Sequence, residues 1–413
     1  MAKPRWIRSS RKTWERIGFL KVAAYLAWRG KSSEDFVDQA RAHINSTINV
    51  PYTQKLGRWL GENGLVSAVE LKKITMNETI AVRLQYWWAF NTYFAAGWLS
   101  HKAIPDYFEH FPRKIGVLEA NFEISELGRL LMLGIISSDE IEALEGSSKL
   151  SPNPLELTRG QKVLFAHSIL KADGDFILLL LERLAELYPS KAFTYLDNGT
   201  AIPVALDNMA TLFRGSAYTS DDQNEISLII RLRDLITKQN EIKIEKQGSG
   251  SRREQISIPR LEWLVDLGIL RKMNARNYEF TRDGLKLVKN WTSYYRNLLS
   301  KYYPEECLNK LLDEHFFGPL MEFLCGSSTS LEQDEHLNLL KGAYEIVKGS
   351  MGYALIRSLL LFVNACQAES RLSGYVEYDR ALASIQAEYK RDPVSIYYTV
   401  DRLGDEHQVK FVT

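Results

Sequence analysis

The sequence predicts a mainly α-helical protein of several domains, with short β-hairpins set between the helices. Three observations carry that expectation. Apolar residues recur at helical spacing through most of the 413 residues, a length sufficient for two to four domains. Helical runs end on a glycine followed by two aliphatic residues, as at Gly268-Ile269-Leu270. Polar stretches rich in small residues and proline, such as Gly146 to Pro154, separate these runs. Composition agrees: 45% apolar and 25% charged residues are ordinary for a globular chain, and 11% aromatic residues favour large buried cores. The formal net charge is only +1, so any anion-binding surface must come from local clustering.

The most informative stretch runs from Gln255 to Trp291. Ser257 is placed to cap a helix and Pro259 suits a first turn. Ile258, Leu261, Leu264, Val265 and Leu267 then share one face, and Gly268 stops the helix as a left-handed cap. Ile269 to Lys272 is extended, Asn274 to Asn277 is turn chemistry, and Tyr278 to Phe280 returns as a strand. Thr281 caps a second helix through Gly284 and Val288. This order resembles a winged-helix module. The resemblance implies a helix offered to the DNA major groove and a hairpin wing beside the backbone. Between Glu241 and Ser300 there are twelve Lys or Arg against seven Asp or Glu. Arg252, Arg253, Arg260, Lys272 and Arg276 are the candidate contacts, because arginine pairs bidentately with guanine or phosphate. Against this, Glu262 and Asp266 on the same helix would repel phosphate, Trp263 can equally be core, and many winged helices only pack against other proteins.

Four regions follow. Residues 1–145 form a basic arm and an N-terminal helical domain with winged-helix-like phrases. Residues 155–215 form a helical middle domain, 220–300 the winged-helix domain, and 301–413 a C-terminal helical domain. Arg5, Arg8, Arg11 and Lys12 lead a first segment with a single acid, Glu15, and are candidate phosphate contacts, or else a solvated terminus. Arg58 to Val66 and Gly128 to Ile136 repeat the phrase at Glu262 to Leu270 in degenerate form. Thr158 is expected to cap a helix to Ala172, Asp173-Gly174-Asp175 to break it, and Phe176 to Tyr188 to form another. Phe193 to Leu196 reads as a short strand before an Asp197-Asn198-Gly199 turn. Gly352 to Ser370 reads as one apolar helix. Near the end, Tyr378 to Tyr389 and Pro393 to Leu403 read as helices and Gln408 to Val412 as a strand, a winged helix cut short of its wing.

The chemistry of known active sites is not evident. Gly248-Ser249-Gly250-Ser251 lacks the lysine and the preceding strand of a phosphate-binding loop. The seven histidines do not fall into metal-binding spacings, and the three cysteines form no pair, which suggests a reducing, cytoplasmic setting. Glu241-Ile242-Lys243 has half the pattern of a restriction-type nuclease, a pattern that chance also supplies. Leu84 to Leu99 is apolar but shorter than the ~20 residues of a spanning helix, so a buried helix and no membrane partner are expected. No cofactor or metal is expected.

The Arg5 to Lys12 run with Trp6, the phrase Phe122 to Gly128 and the entry at Asn153-Pro154-Leu155 resemble the DNA-recognition halves of type IIS restriction enzymes over about residues 1–300. That resemblance implies a prokaryotic recognition or accessory subunit of a DNA-processing or anti-phage defence system. Its partners would be duplex DNA and the protein subunits that supply the chemistry. The alternatives are a protein–protein scaffold or a nuclease with an unrecognised site.

Overall fold

The computed structural model describes residues 4–6, 17, 126–140, 156–215, 219–241, 252–274, 277–400 and 407–412. Helices dominate. α1 (Glu126–Leu130) runs into a π-helical turn. α2 (Arg159–Leu187), β1 (Phe193–Thr194), α3 (Tyr195–Arg214), α4 (Ser220–Glu241) and α5 (Arg252–Leu267) follow. Next come β2 (Leu270–Lys272), β3 (Asn277–Phe280), α6 (Arg282–Leu299), α7 (Pro304–Glu314), α8 (Phe317–Cys325) and β4 (Thr329–Ser330). The last third holds α9 (Gln333–Val347), β5 (Ala354–Leu355), α10 (Ile356–Glu369), β6 (Gly374–Tyr375), α11 (Tyr378–Arg391), β7 (Ile396–Val400) and β8 (His407–Phe411).

α2 is the axis on which the rest is assembled. Thr158 and Gln161 form a reciprocal capping box at its start. It is buried on nearly every side along most of its length, and it packs against α3, α6 and α10. The expected break at Asp173-Gly174-Asp175 does not occur, because each polar group there has a partner from another element. Asp173 meets Arg260, and Asp175 accepts from the Arg5 amide and the Tyr295 hydroxyl. Between them, a Cβ on Gly174 would come within 2.7 Å of Leu308, so the glycine allows α7 its close approach.

The stretch around Gly268 folds as its residues suggest. Gly268 is left-handed (φ 85°), and Ile269 N donates back to Leu264 O at 2.9 Å, closing α5 in a Schellman turn. The Thr281 hydroxyl accepts from Gly284 N at 3.0 Å and so caps α6. α5 nevertheless begins at Arg252, ahead of the expected Ser257 cap, and carries Pro259 inside it. Ser257, Pro259 and Arg260 are buried, so packing against α2 and α3 carries the helix past a local breaker. The Asp197-Asn198-Gly199 turn is likewise absorbed. Asp197 accepts from Thr194 N at 2.7 Å, and the segment becomes the first turn of α3.

β1, β2 and β3 form one antiparallel sheet in the order β1-β3-β2. The first unit is therefore helix, strand, helices, hairpin, with the last strand in the middle. The same order recurs in the last third. α9, β5, α10, β6, α11, β7 and β8 follow in sequence; β6 pairs in parallel with β4 in a separate two-stranded sheet, and the antiparallel sheet is ordered β5-β8-β7. Two expectations are corrected here. The expected helix over Pro393 to Leu403 contains strand β7 instead, so the second unit has its hairpin after all. Ile396, Tyr397, Tyr398, Thr399 and Val400 are β-branched or aromatic and suit a pleated, half-buried surface. Asp392 turns the chain out of α11 by accepting from Val394 N and Ser395 N. The start of the expected helix Gly352 to Ser370 is the short strand β5, which the sheet recruits.

Of the degenerate repeats, Gly128 to Ile136 forms α1 and the π turn, with Gly134 at φ 153°. Arg58 to Val66 and the apolar run Leu84 to Leu99 lie outside the described residues. No helix among the described residues is long and apolar enough to cross a membrane.

Candidate nucleic-acid interface

The helix that leads into the hairpin is the element to inspect in each unit, and the two differ. α5 is closed. Arg260 is 0% exposed and grips Asp173 with both arms, Nε to Oδ2 at 2.6 Å and Nη2 to Oδ1 at 2.8 Å. Its third nitrogen donates to Ile256 O at 3.0 Å, and the guanidinium lies 4.6 Å from the Phe176 ring centroid. Arg260 is thus a core ion pair, and the expectation that it contacts DNA is withdrawn. Trp263 and Glu262 on the same helix are also fully buried. Lys272 is corrected in the same way. Its ammonium donates to Glu262 at 2.7 Å, beside the Tyr278 hydroxyl at 2.6 Å.

Arg5 does not belong to a solvated arm either. Its amide donates to Asp175 at 2.7 Å and its guanidinium to Asn309 at 2.6 Å. The neighbouring Trp6 is buried, with its indole N–H donating to Glu225. Arg252 and Arg253 stand in the first turn of α5, where only the backbone is described. Arg276, Arg8, Arg11 and Lys12 lie outside the described residues. So does most of the Glu241-Ile242-Lys243 pattern. Among the described residues, no group of three His, Cys, Asp or Glu side chains is placed to hold a metal ion.

α11 is open. Tyr378, Ala381, Ser384, Ile385 and Glu388 face inward, while Arg380, Ala383, Ala387, Lys390 and Arg391 are exposed. The outward stripe pairs two small residues with cations above and below. Lys390 and Arg391 in the last turn also complement the helix dipole. The inner face is fixed by polar bonds. Ser384 Oγ lies 2.7 Å from His336 Nε2, and burial lowers the pKa of that imidazole. Gln386 donates to the Tyr398 hydroxyl at 3.1 Å, and Tyr398 stacks on His407 across the hairpin. Helix and hairpin are therefore held to each other by side chains that leave the outer face clear. Sequence reasoning missed this face because it took the segment after α11 for another helix. The signal that could have found it is the β-rich run Ile396 to Val400 after an Asp-Pro turn.

Asp175 ties the N-terminal segment to α2 and α6, and its electrostatics can be tested. Burial raises its carboxyl from the ordinary 3.8 to about 6, against the hydrogen bonds from Arg5 and Tyr295. Between those values the folded protein holds a proton that the unfolded chain has lost. The Asp175 contribution to stability is thus present at low pH and is lost as pH rises through about 4 to 6. His167, lowered to about 3 by burial, pulls the other way across the same range. The test is therefore a difference. Asp175→Asn keeps a partner for Arg5 and for Tyr295, and its stability relative to wild type should rise across that window. An unchanged difference would mean that the carboxyl ionises as freely inside as outside.

Comparison of the chain with protein-family models, with curated proteins and with solved structures finds no match.

Proposed function

We propose that the chain binds duplex DNA through the open face of α11 and the adjoining β7–β8 hairpin. In this reading it is a recognition or accessory subunit of a DNA-processing or defence system whose chemistry resides in another chain. The observation that carries the reading is the exposed stripe Arg380, Ala383, Ala387, Lys390 and Arg391 on the helix leading into a hairpin. Alanines let a helix come close to base edges, and the flanking cations can neutralise phosphates. The two units, each with its last strand central, support the resemblance to winged-helix modules. The first unit, with α5 enclosed, serves as framework.

The test is binding to a random-sequence duplex at several salt concentrations. Ala383→Glu with Ala387→Glu puts bulk and negative charge on exposed positions of good helix propensity, so folding should persist. Binding should weaken by about tenfold or more, and Lys390→Glu should reduce the salt slope by about 1. Unchanged affinity in the folded Ala383→Glu, Ala387→Glu protein would remove α11 from the interface. A second reading, a protein-interaction scaffold, is favoured by α5, the counterpart of α11 in the first unit, which is used for packing within the chain. Absence of duplex binding at low salt would select it.

A further inference from the structure

The β5-β8-β7 sheet has two faces of different character. One packs on α9 and α11. Val409 and Phe411 are buried there, Phe411 meets Tyr344 edge-on, and the Tyr398 hydroxyl accepts from Gln386. Side chains alternate along a strand, so the residues between these form the opposite face. On it β8 supplies Gln408 and Lys410, β7 supplies Tyr397 and Thr399, and Tyr353 stands just before β5. Tyr397 is directly opposite Lys410 on one side. On the other side the Lys410 ammonium lies 5.8 Å from the Tyr353 ring centroid. Tyr397 is 50% exposed and Tyr353 38%. An exposed tyrosine on a strand is ordinary by itself. The cation between two such rings is what distinguishes this place. None of the five residues is acidic, and among the described residues Lys410 forms no ion pair.

We infer that this face binds a single-stranded segment of nucleic acid, with bases stacked on Tyr353 and Tyr397 and a phosphate between them at Lys410 Nζ. Side chains two strands apart in a sheet are separated by about 10 Å, which leaves room for one base on each ring and backbone between. Stacking on an aromatic ring accepts any base, because every base has a π face. Charge complementarity selects this occupant. A neutral sugar would cover the rings and leave the ammonium unpaired. An acidic peptide would meet the ammonium and leave the rings bare. A nucleotide strand supplies both partners, and its bases must be unpaired for their faces to be free. Thr399 and Gln408 continue the face with a hydroxyl and an amide for base edges. The face points away from α11, so the inference does not rest on duplex binding there.

Fluorescence anisotropy of labelled oligomers of deoxyuridine and of uridine, titrated with the full chain, tests this. Neither oligomer pairs with itself, so no duplex forms. At least one should bind at low salt with a Kd of about 0.1 mM or tighter. Whichever binds better identifies the source, a DNA or an RNA strand. Tyr397→Ala and Tyr353→Ala should each weaken binding by about tenfold, and Tyr397→Phe, which keeps the ring, should match wild type. Lys410→Gln should lower the slope of log affinity against log salt by about 0.7. Should Tyr397→Ala fail to fold, Tyr397→Thr keeps strand preference without the ring and makes the same comparison. Absence of binding by both oligomers would overturn the inference. So would binding that is lost in the Ala383→Glu, Ala387→Glu protein but unchanged by the tyrosine substitutions, since the strand would then lie on α11.

Discussion

Replacing Arg260 by alanine should lower the unfolding free energy by about 3–5 kcal/mol, seen as a shift of the urea midpoint. The guanidinium and the Asp173 carboxylate are both 0% exposed and share two hydrogen bonds, at 2.6 and 2.8 Å. Removing the cation alone leaves an anion in the interior of the α2–α5 contact. The loss should be strongly non-additive. Arg260→Met combined with Asp173→Leu removes both charges with similar volume and should recover much of the stability lost by Arg260→Ala. A surface arginine that waited for phosphate would behave differently. Its removal would leave stability within about 0.5 kcal/mol of wild type. A neutral Arg260→Ala would therefore return this residue to the list of contacts.

Trp6→Ala should cost about 3–5 kcal/mol, the usual range for deleting a buried aromatic side chain. The indole is 8% exposed, belongs to the main core, and donates to Glu225 on α4. The flanking Arg5 amide is bound to Asp175 of α2. The N-terminal segment thereby joins helices of the first unit far from it in sequence. Trp6→Phe separates the two contributions. It keeps most of the apolar body and loses only the N–H, so it should cost about 1–3 kcal/mol. Equal stability of Trp6→Ala and wild type would mean that the segment is not docked in solution.

Much of the first unit was legible in the sequence because its signals are local. Gly268 and Thr281 act on neighbours a few residues away and sit where their chemistry places them, and Asn274 Oδ1 accepts from Asn277 N at 3.0 Å as a turn residue does. The errors came where distant residues decide. Asp173-Gly174-Asp175 reads as a break until Arg260, Arg5 and Tyr295 arrive to satisfy it. Arg260 reads as exposed because its acid lies 87 positions earlier. Arg5 and Trp6 read as an arm because Asp175 and Glu225 are farther still along the chain. The second unit was hidden for another reason. Ile396 to Val400 follows a helix after a proline and reads as its continuation, although its side chains favour a strand. Without that hairpin the parallel between α5 and α11 is not visible in the sequence, and the basic residues on and around α5 stand out instead.

The central claim is that α5 is framework and α11 is the face offered to a partner. Hydrogen exchange of the full chain, with and without a duplex, tests it most directly. The account predicts that amides of Arg260 to Leu267 are strongly protected in the free protein and unchanged by DNA. Residues of α11 and the β7–β8 hairpin should gain protection when DNA is added. Fast exchange along α5 in the free protein, with protection appearing there on DNA binding, would contradict it.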